Sequence, residues 1–208
     1  MDAPPTHLTA ADLAMRFGRR LLFRGLSFEA VPGAPLAIVG SNGAGKSTLV
    51  RILAGVLTPV AGEVRLVVSG QPVAAAARPR RVGLVAPYLQ HYDLFSAREN
   101  LSFLARAYGI SDAGPRIDAV LDRVGLLGRA DDRLATYSTG MRQRLRLAGA
   151  LLPDPPVLLL DEPSATLDEA GQALVEGVIA MRNKVVVVAT NDPAEAARCA
   201  HTVSLGGR

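Results

Sequence analysis

Cysteine occurs once in the 208-residue sequence, at Cys199. A single thiol excludes an internal disulfide framework and fits a reducing compartment. Lysine occurs only at Lys46 and Lys184, against 21 arginines, a skew that reads as compositional bias. Aromatics are scarce: four Tyr and five Phe. No apolar run approaches the roughly 18–20 residues that cross a bilayer. The start of the chain, with Asp2, Pro4 and Pro5, has no basic stretch followed by an apolar one, so no signal peptide is expected. No internal repeat appears, and no low-complexity linker beyond residues 74–77. The net charge of +4 is too small an excess to indicate nucleic acid as a partner. What is present suits a packed core: 49% of the residues are hydrophobic, enough for one large domain or one core with a subdomain.

Gly40, Ser41, Asn42, Gly43, Ala44, Gly45, Lys46, Ser47 and Thr48 form the pattern G-x-x-x-x-G-K-[ST]. The glycines let the backbone curl so that N–H groups point inward at phosphate oxygens. Lys46 brings a compact charge to the β- and γ-phosphates, which suits an ammonium better than a guanidinium fork. The Ser47 hydroxyl is placed for Mg²⁺. Residues 36–39 (Leu-Ala-Ile-Val) read as a buried strand and 47–54 as a helix. Phosphates would therefore meet a helix N-terminus, where the dipole and free N–H groups favour anions.

Elsewhere, residues 26–30 and 64–68 read as strands of an outer antiparallel layer. From about 88 to 152 the pattern turns helical. Ser96 and Glu99 form a capping box. The helix they open carries Leu101, Leu104, Ala105 and Tyr108 on one face and stops at Gly109. A second helix shows Ile117, Val120, Leu121 and Val124. A third shows Met141, Leu145, Ala148 and Leu152, ending near Pro153. Residues 157–160, then a helix over 169–182, then 185–189 complete a strand, helix, strand unit. Strands apolar throughout indicate a parallel sheet covered on both faces. The first of these strands runs into Asp161-Glu162, at the strand end where α/β sheets bind ligands. There Asp161 would hold Mg²⁺ through water, and Glu162 would polarise a water for attack on the γ-phosphate. An ordinary acidic turn is the alternative.

Tyr137-Ser138-Thr139-Gly140-Met141 opens the third helix, with Ser138 placed 23 positions before Asp161. Here the sequence resembles the ABC ATPase family, whose signature loop Leu-Ser-Gly-Gly-Gln has the variant Tyr-Ser-x-Gly-Met in many exporters. The resemblance runs from about residue 7 to 208. It implies an α/β fold: a P-loop NTPase core of mainly parallel sheet, with an antiparallel β layer and an inserted α-helical subdomain. The whole chain is then one ABC ATPase domain, with residues 1–87 and 153–208 as the core and 88–152 as the helical subdomain. It implies ATP and Mg²⁺ as cofactors and Glu162 as catalytic base. Ser138, Thr139, Gly140 and Met141 would cap a phosphate of ATP held by a second copy, in a head-to-tail dimer. A plain serine N-cap is the local alternative. Phe17 matches the aromatic that stacks on adenine, or is an ordinary core residue. Residues 164–168 match a loop coupling the two ATP sites, with Asp168 also fit to cap the next helix. At least two of Arg142, Arg144 and Arg146 read as a solvated face.

Two departures stand out. Asn191 occupies the place of a His that contacts the γ-phosphate; it is read as a catalytic residue that senses the phosphate with slower hydrolysis, or as a turn residue before Asp192-Pro193. The Gln that ends the strand before the helical block is missing from its usual place, which falls at Pro87 or Tyr88. Gln90 is the nearest candidate Mg²⁺ ligand. Tyr88, Tyr92 and Phe95 cluster nearby and either receive a helix of a membrane subunit or pack the helical block.

The resemblance implies transmembrane permease subunits as partners and a cytoplasmic position, peripheral at the inner face of the cell membrane. Long coiled-coil insertions or tandem cassettes, which mark relatives acting on DNA or ribosomes, are absent. The guanine-reading Asn-Lys-x-Asp of GTPases is absent too, since Asn183-Lys184-Val185-Val186 lacks the Asp. The end at Arg208, soon after the last expected strand, and residues 49–62 look like the heme-exporter ATPase of cytochrome c maturation. The heme exporter is the favoured reading; the signature loop also resembles that of drug, lipid or ion exporters, which is the alternative.

Overall fold

The computed structural model describes residues 5–206. The readings that rest on Asp2, Pro4 and Arg208 lie outside them. The strands are β1 (His7–Phe17), β2 (Arg20–Ala30), β3 (Leu36–Val39), β4 (Ala61–Val68), β5 (Gln71–Val73), β6 (Val82–Val85), β7 (Val157–Asp161), β8 (Val185–Thr190) and β9 (His201–Ser204). The helices are α1 (Lys46–Leu53), α2 (Ala97–Tyr108), α3 (Gly114–Arg123), α4 (Thr139–Leu151), α5 (Glu169–Ile179) and α6 (Pro193–Ala196). Two sheets result: an antiparallel one in the order β2-β1-β4-β5, and a parallel one in the order β6-β7-β8-β3-β9.

Alternation along β7 explains the layering. Leu158 and Leu160 join a core with residues of α2, α4 and α5. Val157 and Leu159 join the opposite core with α1 and the antiparallel sheet. Successive side chains of a strand point to opposite faces, so a strand covered on both sides must be apolar at every position. All of β7 and β8 is buried for this reason. Helices α2, α3 and α4 stand between β6 and β7 in the chain, and their apolar faces share one core with the sheet.

The expected helix starts hold. Ser96 and Glu99 make the reciprocal capping box on α2, and Gly109 closes that helix at φ 70°. Two ends differ: α4 stops at Leu151 and α5 at Ile179, each shorter than the apolar pattern suggested. Apolar periodicity continued past those helices because Leu152 and Met181 still pack on the core as loop residues. Arg142, Arg144 and Arg146 are not a solvated face. They pair respectively with Asp93, with Asp168, and with the Leu89 carbonyl at 2.8 Å. Lys184 is a structural clamp on Asp154 (2.5 Å) and the Pro155 carbonyl (2.8 Å).

Candidate functional site

β3 leads into the loop that opens α1, at the carboxyl end of the parallel sheet. Gly45 is the N-cap of α1 at φ 107°, and no side chain caps its free N–H groups. The first turn carries no acidic residue. This helix end is left open to an anion. Gly40 is required by close packing as well as by φ, because a Cβ there would lie 2.6 Å from the Leu205 carbonyl oxygen.

Lys46 is buried and anchors the site. Its Nζ donates to the Gly40 carbonyl at 3.0 Å and to Asn191 Oδ1 at 2.5 Å. It also lies 3.5 Å from Glu162 Oε1. The Asn191 amide donates to Asn42 Oδ1, and its backbone N–H donates to Glu162 Oε2 at 3.4 Å. Residues 42, 46, 162 and 191 thus meet from three distant parts of the chain. Parallel pairing explains the meeting. β3 and β7 flank β8, so the loops after all three emerge side by side. Glu162 holds a left-handed backbone, φ 48°, fixed by its N–H on the Ala189 carbonyl at 2.8 Å. A non-glycine residue there costs roughly 1–2 kcal/mol, so packing rather than local preference aims this carboxylate.

A cavity of about 450 Å³ opens in front of these groups. Ser47, Thr48 and Glu162 lie along it, with Phe17 and Arg20 at its rim. Phe17 ends β1 and is 52% exposed, so it is no core residue and its ring is free to stack. Arg20 donates to the Gly43 carbonyl at 3.0 Å. Nothing in the sequence separates Arg20 from its neighbour Arg19; only the fold shows which one turns inward.

Asp161 is fully buried and neither carboxylate oxygen has a hydrogen-bond partner. Burial pushes its pKa up, while the Ser47 hydroxyl and the charges of Lys46 and Arg51 act the other way. Unsatisfied carboxylate oxygens beside a serine hydroxyl are a donor set that fits a hard divalent cation.

Gln90 is not brought to this site. It is exposed and lines a separate cavity of about 410 Å³ with Val56, Leu84, His91 and Phe103. The chain turns at Pro87-Tyr88, with the Leu89 N–H on the Ala86 carbonyl at 3.1 Å, and it is Tyr88 that feels the Asp161 charge. Tyr88 also leaves the aromatic cluster: the Arg51 guanidinium sits 4.0 Å from its ring centroid. The exposed cluster is instead Tyr92, Phe95 and Phe103, with Tyr92 5.5 Å from Phe95 and 5.8 Å from Phe103. Phe103 was legible as the apolar residue off the core face of α2.

Ser138 caps α4, accepting from the Met141 N–H at 3.2 Å. A Cβ on Gly140 would lie 3.3 Å from the Thr166 carbonyl. None of residues 138–141 lines the cavity at Lys46. The next turn of α4 touches instead the loop after Glu162. Gln143 donates to the Pro163 carbonyl at 2.9 Å, and Arg144 pairs with Asp168, which also caps α5. Burial raises the Cys199 thiol to about 11, so it stays protonated. Among the described residues no cluster of His, Cys, Asp and Glu forms a metal site by itself.

A family model described as "ABC transporter" matches residues 23–165. The Nod factor export ATP-binding protein I of Paraburkholderia xenovorans (strain LB400) is 37% identical over 193 residues, 89% of this chain and 62% of that protein. A linearmycin resistance ATP-binding protein of Bacillus subtilis (strain 168) is 33% identical over 161 residues, 76% of this chain and 51% of that protein. A solved structure of the ATP binding subunit of an ABC transporter superposes with a TM-score of 0.84 at 25% identity, over 95% of this chain and 85% of that one. This chain therefore spans less than two thirds of the length of these two named relatives.

Proposed function

The chain belongs to the ABC transporter family of ATP-binding proteins, and from that premise we propose that it binds and hydrolyses ATP to power an exporter. The observation that carries this reading is the meeting of Lys46 with Glu162 and Asn191 at an uncapped helix N-terminus, where Lys46 and Glu162 line one cavity. Lys46 now holds only oxygens of the protein, and phosphate oxygens can replace them. The N–H groups of the loop and of α1 then hold the phosphates. Ser47 and Asp161 would hold Mg²⁺, which neutralises charge on the transferring phosphoryl group. Glu162 takes a proton from the attacking water. Phe17 offers a free ring face for adenine.

Asn191 is the chain's own variation. Its amide can donate to a γ-phosphate oxygen once Asn42 releases it, but it cannot carry a positive charge. Asn191→Ala is expected to lower turnover about fivefold to tenfold, the worth of one hydrogen bond of about 1–1.4 kcal/mol. Phosphate release from Mg-ATP measures this, and an unchanged rate removes Asn191 from the mechanism. The same assay tests the whole reading: a chain that neither binds nor hydrolyses ATP overturns it.

Ser138, Thr139, Gly140 and Met141 lie outside the cavity of their own chain. This supports a head-to-tail pair of copies in which each supplies these residues to the other's nucleotide. Residues 88–152 form the helical arm in this reading, and residues 1–87 and 153–208 the core. No described helix is long and apolar enough to cross a membrane. The exposed Tyr92, Phe95 and Phe103, beside the 410 Å³ apolar cavity, form the seat for a permease subunit at the inner face of the membrane. Tyr92→Glu is expected to leave thermal stability and basal ATP turnover unchanged while co-purification with the permease is lost. Retained co-purification removes the seat.

On substrate, the names of the two relatives, Nod factor export and linearmycin resistance, side with an exporter of drug, lipid or ion type. Together with the Tyr-Ser-Thr-Gly-Met signature, they favour this alternative over the heme-exporter reading.

A further inference from the structure

Two buried polar groups near the cavity lack partners, and they belong together. One is the Asp161 carboxylate, with both oxygens unpaired. The other is the Tyr88 hydroxyl, also buried and unpaired. An unsatisfied buried hydroxyl is costly and uncommon, and a carboxylate more so. Their placement follows from the sheet. β6 and β7 are parallel neighbours with Val85 opposite Leu160, so Ala86 leaves the sheet beside Asp161 and Tyr88 follows two residues on. Arg51, one turn beyond Ser47 on α1, lies against the Tyr88 ring at 4.0 Å and holds it there. The Asp161 charge acts on both Tyr88 and Arg51.

Resting on the ATPase reading above, we propose that Tyr88 is a positioning residue at the metal end of the nucleotide site, its hydroxyl partnering the water shell of a divalent cation held by Asp161 and Ser47. A hydrated cation supplies what both groups lack. Water bound to such a cation would donate to an Asp161 oxygen and to the Tyr88 oxygen, leaving the phenol proton for a phosphate oxygen. Arg51, over the ring at 4.0 Å, keeps it in place. The sequence hid this role, because a tyrosine beside Pro87 looks like part of the neighbouring aromatic surface.

The test is a binding measurement, not a rate. A non-hydrolysable ATP analogue is titrated onto the full chain in EDTA and in rising Mg²⁺. Tyr88→Phe keeps the ring on Arg51 and removes one oxygen. Its affinity in EDTA is expected to match the wild type, while the Mg²⁺ concentration giving half of the metal-dependent tightening rises about fivefold to tenfold, the effect of one lost hydrogen bond. An unchanged Mg²⁺ midpoint overturns the proposal. So does an equal loss of affinity with and without metal, which is the mark of general damage to the fold. A wild-type chain that binds no nucleotide in either condition fails the ATPase reading and this inference with it. A normal wild type with an unresponsive Tyr88→Phe fails this inference alone.

Discussion

Glu162→Gln lowers ATP turnover about 10²-fold or more while nucleotide affinity stays within about threefold. The replacement is isosteric, so the side chain still fits between the Lys46 ammonium and the Asn191 N–H, 3.5 and 3.4 Å from its oxygens. The left-handed backbone at residue 162 does not change, because the N–H on Ala189 that holds it is main chain. What is lost is a carboxylate that accepts a proton. General bases contribute typically 10²–10⁴-fold. Phosphate release and analogue binding, measured on the same preparation, separate the two quantities. A variant that turns over within threefold of the wild type shows that the water is activated by another group, and the assignment of Glu162 is then wrong.

The contrast between Glu162 and Gln90 shows what a sequence carries. The phosphate loop was readable because its chemistry is local: glycines, a lysine and a hydroxyl act within nine consecutive residues. Residues 157–160 and 185–189 were readable because burial on both faces left no position among them for a polar residue. Ser96 and Ser138 were readable as caps because their bonds reach only three residues ahead. Gln90 failed because spacing says nothing of where a loop turns after its strand. Arg51 and Arg20 were missed because their roles come from partners 37 and 23 residues away, Tyr88 and Gly43. The edge strand β9 carries a mostly exposed, weakly patterned sequence, and only its pairing with β3 defines it.

Gly83→Ala is expected to destabilise the fold by about 3 kcal/mol, the upper end of the ordinary cost of overpacking. A Cβ at residue 83 would lie 2.3 Å from the Ala150 carbonyl oxygen and 2.8 Å from both Leu158 Cδ2 and Pro155 Cγ. The leucine can swing aside. The carbonyl belongs to the last turn of α4, and it can move only if the helix shifts off β6. For a chain of this size each kcal/mol lowers the melting temperature by roughly 2–4 °C, so the midpoint falls about 6–12 °C. Thermal unfolding followed by circular dichroism measures it. A fall under about 2 °C means that α4 does not rest on β6 at this point. Because Ser138 caps the other end of α4, the same shift would displace the residues proposed to serve a second copy.

The strand order has a consequence for synthesis. β1, β2 and β4 pair with neighbours close in the chain, so the antiparallel sheet can assemble while translation is still under way. β3 cannot. Its two neighbours are β8 and β9, about 150 residues later. Until residues 185–204 have left the ribosome, the strand that carries the phosphate loop has no sheet to join, although every residue of the motif was made long before. A nascent chain stalled before that point holds the complete motif with no pocket around it. The nucleotide site, written before residue 50, takes shape only once residues 185–204 have been made.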